Sequence, residues 1–444
     1  MTPIGRPTTL QERLAIVERA EAGAPDRAIA EELGLSRWTV RKWRRRGQQQ
    51  GRAGLASSMG RPKSGALSSF SAAMREAIDR MKEAHPGWGP QTLRTELQLE
   101  ARFVGQRLPS RARIAAYLKE KGFTRRYDKH QDLPQPSSQQ VQHPHEEWEM
   151  DAQGVVEVEG IGKVSLINLG DVYSGLKIDS LPCPDTSHPN RQDYQLILRR
   201  AFTQVGLPQR ISLDHDSVFY DNSSRSPFPS PLHLWLIGLG VEVRFIGKPP
   251  PMEHSRIERQ HQMVFQQAVR GRNFRQQGLP GLQQALWERL AFLNKHYPSR
   301  SLRGKPPLVV FPAASHSGRE YRPEWETEML DMPRVYAYLA QGKWYRRTTA
   351  KGLFNLGGRR YNARQSLARQ MLEITFDPKT QELVCVSEDG RTSIRLAIQG
   401  LTKKDLMGEL APLTAVSHHQ LLLPFSREAW RQSLLAASLQ GTTL

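Results

Sequence analysis

The sequence predicts a multidomain chain: N-terminal all-α helix-turn-helix units, a central α/β core on one mixed sheet, and a small β-barrel toward the C-terminus. Three observations carry this. At 444 residues the chain exceeds what one ordinary core can hold. Helical apolar spacing dominates up to residue 122, strands and helices alternate over 147–270, and short strands with close turn signals follow from 333. Charge divides the same way: residues 1–130 hold 26 Lys and Arg against 13 Asp and Glu, most of the net +19. The expected boundaries are 8–50 and 71–130 for two helix-turn-helix units, 51–70 and 131–145 for linkers, and 146–300 for the α/β core. A linker over 301–330, a barrel over 331–400 and an unassigned tail over 401–444 complete the chain.

Bulk properties exclude several classes. No stretch approaches eighteen uninterrupted apolar residues, so no membrane span is expected. The N-terminal Met1–Leu14 lacks the apolar run of a secretory signal. Two cysteines, Cys183 and Cys385, support neither a disulfide framework nor a cysteine-built zinc site, and a cytoplasmic location fits. A pI near 10.1 with the surplus in the first third points to a phosphate backbone, and so to double-stranded DNA as partner.

The first unit reads as helix, short helix, glycine-containing turn, basic helix. Leu10, Leu14, Val17 and Ala20 recur at helical spacing, and Gly23 and Pro25 break the run. A short helix stops at Gly34, and Ser36 caps a third. Trp38, Val40 and Trp43 are expected to face the core. Arg37, Thr39, Arg41 and Arg44 are then left for a groove, with Lys42, Arg45 and Arg46 near phosphates. Gly60-Arg61-Pro62-Lys63 in the linker fits a minor-groove arm or a solvated tether equally well. The second unit repeats the pattern: a helix from Phe70, one begun by Pro90, and one capped by Ser110 that carries Arg111 and Arg113.

Past the Pro/Gln/Ser-rich segment 131–147, three strands, a helix, a strand, a helix, a strand and a long helix follow, which is an α/β order with one mixed sheet. Beyond 333, RVYAYLA, WYRRTTAKGLFNLGGRRYNA, MLEITFD, ELVCVSEDG and TSIRLAIQG read as short strands of a barrel.

Three acids stand where phosphodiester chemistry could use them. Asp151 lies in the first strand, Asp214 ends a later strand, and Glu258 sits early in the long helix. Two divalent cations few ångströms apart can activate an attacking oxygen and stabilise a leaving one, and hard cations take carboxylates. The long helix buries a stripe of Ile257, His261, Val264, Phe265 and Ala268, with Glu258 beside it and Arg256 and Arg259 flanking it, placed to touch DNA phosphates. Asp216 is the second choice for the middle carboxylate. For Glu258 the plain alternative is a helix contact with Arg259 or Gln262. Zinc between His254 and His261 lacks further ligands, and Asp171 reads as structural.

Trp148-Glu149-Met150-Asp151, then Ser212-Leu213-Asp214, then Arg256-Ile257-Glu258-Arg259 resemble the catalytic core of DDE transposases and retroviral-type integrases, an RNase H-like fold. With tandem helix-turn-helix units before it and a small barrel after it, the chain is similar to bacterial insertion-sequence and Mu-like transposases. The resemblance implies metal-dependent 3′-end cleavage and strand transfer of a mobile element. Asp151, Asp214 and Glu258 would be the catalytic and metal-holding residues, for two Mg²⁺ with Mn²⁺ able to substitute. It also implies a homo-oligomer on DNA, a bacterial nucleoid-associated setting and room for an ATPase partner. There are departures: 43 residues separate Asp214 from Glu258, more than in many members, His215-Asp216 replaces Asn-Gly, and His254 replaces an Asn. The rival readings are a catalytically inactive, domesticated DNA-binding regulator and a nuclease without strand transfer.

Overall fold

The computed structural model describes residues 8–56, 65–123, 141–184, 188–214, 218–219, 226–245 and 255–408. Asp216, His254, the Gly60–Lys63 arm and nearly all of the tail lie outside them. The chain divides into two compact units, residues 1–69 with 119–121, and residues 70–118 with 122–444.

The first unit holds α1 (Leu10–Glu21), α2 (Asp26–Leu33) and α3 (Arg37–Gln50). A capping box starts α1: the Thr9 hydroxyl takes the Glu12 amide and the Glu12 carboxylate takes the Thr9 amide at 2.7 Å. Gly34, at φ 62°, ends α2 as only glycine does cheaply, and Ser36 caps α3. Ile16, Ile29, Val40, Trp43 and Leu55 close the core. Trp38 corrects the sequence reading: its side chain is 79% exposed, not buried. Two residues before Val40 is about 200° around the helix, so Trp38 falls on the opposite face.

The second unit opens with α4 (Ala72–Ala84), α5 (Pro90–Leu99) and α6 (Arg111–Glu120), with Pro90 at the first turn of α5 as expected. A five-stranded mixed sheet follows in the order β3-β2-β1-β4-β5. β1 (Glu147–Val158), β2 (Gly162–Asp171) and β3 (Lys177–Pro184) run antiparallel, and β4 (Arg210–Leu213) and β5 (Glu242–Phe245) run parallel to β1. Helix α7 (Arg191–Val205) joins β3 to β4, and α8 (Pro231–Gly238) precedes β5. Two arginines of α7 are buried against acids: Arg200 meets Asp179 of β3, and Arg199 meets Glu326 at 2.7 Å. Glu326 also accepts from Trp235 Nε1, so residues 301–330, read as a linker, supply a buried ion pair to the core.

The long helix is α9 (Ser255–Val264), ending in a π-turn over Phe265–Val269. A further helix unread in the sequence, α10 (Gly278–Lys295), comes next. Its Gly278-Leu279-Pro280-Gly281 start resembles a loop, yet Leu282, Leu286, Leu290 and Leu293 are buried at helical spacing. Single-turn helices α11 (Pro307–Val310) and α12 (Glu326–Met329) lead to α13 (Met332–Ala340). This last corrects the strand expected for RVYAYLA. Asp331 caps it, accepting from the Arg334 amide, and Met332, Val335 and Leu339 bury one helical stripe. The Val-Tyr-Ala-Tyr alternation concealed that spacing.

The expected barrel is also corrected. Strands β6 (Trp344–Arg347), β9 (Met371–Asp377), β10 (Glu382–Ser387) and β11 (Ser393–Ala397) form an open antiparallel sheet in the order β11-β10-β9-β6. Strands β7 (Leu353–Leu356) and β8 (Arg359–Asn362) make a separate hairpin. Closure needs hydrogen bonds between the outer strands, and β11 pairs only with β10 among the described strands. A short α14 (Lys403–Met407) ends the described chain. Among the described residues no helix is long and apolar enough to cross a membrane.

Candidate carboxylate site and nucleic-acid interface

Alternation along β1 builds the site. Trp148 and Met150 enter the core, where the Trp148 ring lies 5.9 Å from that of Phe202 on α7. Glu147, Glu149 and Asp151 therefore share the other face, beneath α9. Pairing sets Asp151 against Asn168 and Glu149 against Gly170 on β2, and Glu149 against Ser212 on β4. The β1–β4 pairing ends at Glu149 and Ser212; Asp151 lies two residues beyond it on β1, and Asp214 two residues beyond it, just past the end of β4.

Helix α9 lays Gln260 over Gly170, where a Cβ would lie 2.6 Å from Gln260 Oε1. Gln260 Nε2 donates to the Leu169 carbonyl, and Arg256 donates to the Val172 carbonyl. One residue on, His261 Nε2 lies 3.1 Å from Asp151 Oδ2, and its Nδ1 lies 2.6 Å from Asn168 Nδ2. With the amide nitrogen placed toward the ring, Nδ1 accepts and the Nε2 proton is donated to Asp151. The Ala152 amide donates to Asp151 Oδ1 at 2.8 Å. Asp151 is thus fixed from strand and helix together.

Glu258 stands three residues before His261, hence on a neighbouring patch of the helix, and is exposed, as is Arg259. Asp151 lies within β1, Asp214 just past the end of β4, and Glu258 on α9, which packs over β1 and β2. Among the described residues, no three His, Cys, Asp or Glu side chains converge closely enough to hold a metal ion. Asp171 caps the turn after β2, accepting from the Ser174 and His145 amides, which makes it structural.

Sequence reasoning passed over the rest of this acidic face. Burial pushes the Glu149 carboxyl up to about 7, against the opposing pull of the Arg256 charge and a hydrogen bond from the Ile257 amide. Burial would raise Glu147 too, but hydrogen bonds from Ser212 and Arg210 and the Arg244 charge hold it below the usual range. Glu147, Glu149 and Asp151 at two-residue spacing was the available signal.

On α3, Arg37, Trp38, Arg41, Lys42 and Arg45 are exposed, spaced so that they form one face. Thr39 is engaged in the cap, 2.8 Å from the Ser36 hydroxyl. Arg44 bonds Asp26 at 2.6 Å, and Arg46 lies over the Trp43 ring. The exposed face is therefore narrower than the sequence suggested, and includes a tryptophan. On α6, Arg111 is exposed and Arg113 lies over Phe70.

Fold and side chains together define a chain with helix-turn-helix units ahead of a mixed-sheet core whose first strand carries an acidic face. Residues 12–63 match the family model of a Helix-turn-helix domain, and residues 39–118 match that of a Homeodomain-like domain. Among solved structures, the chain is similar to the catalytic core domain of BIV integrase at 15% identity and a TM-score of 0.28, covering 39% of this chain and 97% of that one. It is similar also to a chain of the simian T-cell lymphotropic virus intasome in complex with PP2A regulatory subunit B56 gamma, at 13% identity and a TM-score of 0.32, covering 70% and 97%.

Proposed function

We propose that this chain is a DDE-type DNA transposase, a polynucleotidyl transferase that cleaves the 3′ ends of a mobile element and joins them to target DNA. One observation supports the reading: β1 and β4 pair in parallel, Asp151 and Asp214 each stand two residues past the last pair, and α9, which bears Glu258, packs over β1. The donor chemistry suits Mg²⁺, since carboxylates are hard ligands and two of them suffice for a cation that keeps several waters. Asp151, Asp214 and Glu258 would hold a pair of such ions, with Mn²⁺ as substitute. When bound, the pair would supply activation of the attacking oxygen and stabilisation of the leaving one.

The chain's own residues do the rest. His261 and Asn168 keep the Asp151 carboxylate in one orientation. Arg259 and Arg256 offer cationic groups to phosphates beside the acids. The α3 face of Arg37, Trp38, Arg41, Lys42 and Arg45 binds the element's terminal repeat, with α6 as second reader. Action as a homo-oligomer on paired ends, and assistance by an ATPase, belong to the same reading. Its rival is a DNA-binding regulator that has lost catalysis, favoured by His254 standing where related helices carry Asn.

A strand-transfer assay decides. A labelled DNA end from the sequence flanking the gene is incubated with plasmid and Mg²⁺, using wild type and Asp151→Asn. Joined product from wild type alone is expected. Tight, salt-sensitive binding without product would favour the regulator, and cleaved but unjoined ends would favour a plain nuclease.

A further inference from the structure

The segment Lys295–Lys305 closes α10 and turns back on itself. The Ser299 amide donates to Lys305 O at 3.1 Å and the Gly304 amide to Ser299 O at 2.9 Å. The loop displays Lys295, Arg300, Arg303 and Lys305, all exposed, and contains no acid. Among the described residues none of the four has an ion-pair partner, although Arg side chains elsewhere on the molecule pair with acids repeatedly.

Two further observations separate this loop from an ordinary solvated turn. First, Arg303 adopts φ 52°, a left-handed conformation that a glycine would take without cost, next to Gly304 at φ 81°. A long cation is kept at a position where the backbone favours a residue with no side chain. Second, the loop is anchored to the second helical unit. Tyr297 shares a side-chain hydrogen bond with Thr92 on α5 and lies near the Arg111 guanidinium at the start of α6. Behind it, Arg289 bonds Glu96 at 2.6 Å and lies over Trp88 and Phe292. Tyr297 thus ties the loop that displays these cations to the start of α6, where Arg111 is exposed.

We infer that the Lys295–Lys305 loop is a second DNA-backbone clamp, in which Arg300, Arg303 and Lys305 take phosphates of the duplex whose groove is entered by the N-terminal end of α6. Helices of this kind read bases with their first turn while neighbouring segments hold the flanking backbone. This assignment rests on the DNA-transaction reading above, yet needs no catalysis.

The test uses the full chain and a random-sequence duplex followed by fluorescence anisotropy across a salt series. Each phosphate contact contributes about 0.9 to the slope of log affinity against log salt. Arg300→Gln with Arg303→Gln and Lys305→Gln should lower that slope by about two to three and weaken binding at least about tenfold at about 0.15 M salt. Arg303→Gly alone should lower the slope by about one while raising the melting temperature, a pairing that a purely structural role would not give. The control is Arg37→Gln with Arg41→Gln and Arg45→Gln. If the control lowers the slope and the loop variants do not, the clamp is overturned and the DNA reading stands. If wild type shows no salt-dependent duplex binding, both fall. Equal displacement of wild type and the triple variant by dextran sulfate, with no difference on duplex, also overturns the clamp.

Discussion

Asp151 owes its position to three residues on three elements: Ala152 beside it on β1, His261 above it on α9 and, through the imidazole, Asn168 across the strand pair on β2. Partners that orient a metal-holding carboxylate typically govern metal affinity by about 10–100-fold. His261→Ala should therefore raise the Mn²⁺ concentration needed for half-maximal strand transfer by about that factor, while His261→Asn should restore part of it. An unchanged metal requirement in His261→Ala would remove His261 from the site. Glu149 gives a second expectation. Its carboxyl is raised from 4.5 to about 7, so its contribution to stability is fully present below pH 4.5 and is lost as pH rises through about 7. Glu149→Gln should flatten this dependence and stabilise the fold at pH 8 by up to about 3 kcal/mol relative to wild type, measured by urea denaturation at pH 5 and pH 8. Which elements carry the three expected acids was legible, because an acid in the first strand, one after a later strand and one at a helix start make a pattern in one dimension. His261, Asn168 and Glu149 were not, since their meaning depends on which β2 residue faces which β1 residue. Trp38 was misread for a simpler reason: three apolar residues within six were assigned to one face without turning the helix through its 100° steps.

Among elements, the π-turn at Phe265–Val269 deserves comparison with the regular α9 before it. A π-turn frees carbonyls from the helical ladder, and here Trp88 Nε1 donates to Gln267 O at 3.1 Å while Gly87 packs against Gln266 O. A Cβ on Gly87 would lie 1.8 Å from that oxygen, which is backbone and cannot swing away. Gly87→Ala should thus force α5 off the turn, at a cost on the order of 1–3 kcal/mol, seen as a lower urea midpoint. Trp88→Phe should cost less, about 1 kcal/mol for the lost hydrogen bond. Equal midpoints for Gly87→Ala and wild type would show that this contact does not exist in solution. The existence and kind of most elements followed from spacing and caps, as with Pro90 and Ser36. The failures share one cause, because tertiary contacts decided them. α10 hides behind Gly278 and Pro280 and is held by its buried leucines, α13 is fixed by an Asp331 cap, and the C-terminal strands stay open because their outer strands never pair.

At the scale of the molecule, the division into two units sets how the protein should unfold. Among the described residues the first has a core cluster of seven buried apolar side chains, Ile16 through Leu55, and so is marginal by size. The second joins α4–α6 to the π-turn after α9 and to α10 through Trp88 and the Arg289–Glu96 pair, and has a far larger apolar interior. Units with separate cores melt separately, so calorimetry should resolve two transitions. Trp43→Ala removes the largest side chain of the small core, a loss of roughly 3–5 kcal/mol, which exceeds what such a core can spare. The smaller transition should vanish and the larger stay in place. Mg²⁺ should act in the opposite sense. If Asp151 and Asp214 hold it as proposed, it would stabilise only the second unit, by about 2.7 kcal/mol at a hundredfold excess over its dissociation constant. The larger transition should therefore rise by a few degrees in wild type, fall back on chelation, and stay unmoved by Mg²⁺ in Asp151→Asn. A single transition that ignores Trp43→Ala would contradict the division itself. A Mg²⁺ shift that survives Asp151→Asn would place the ion elsewhere and take the carboxylate site out of the proposed chemistry.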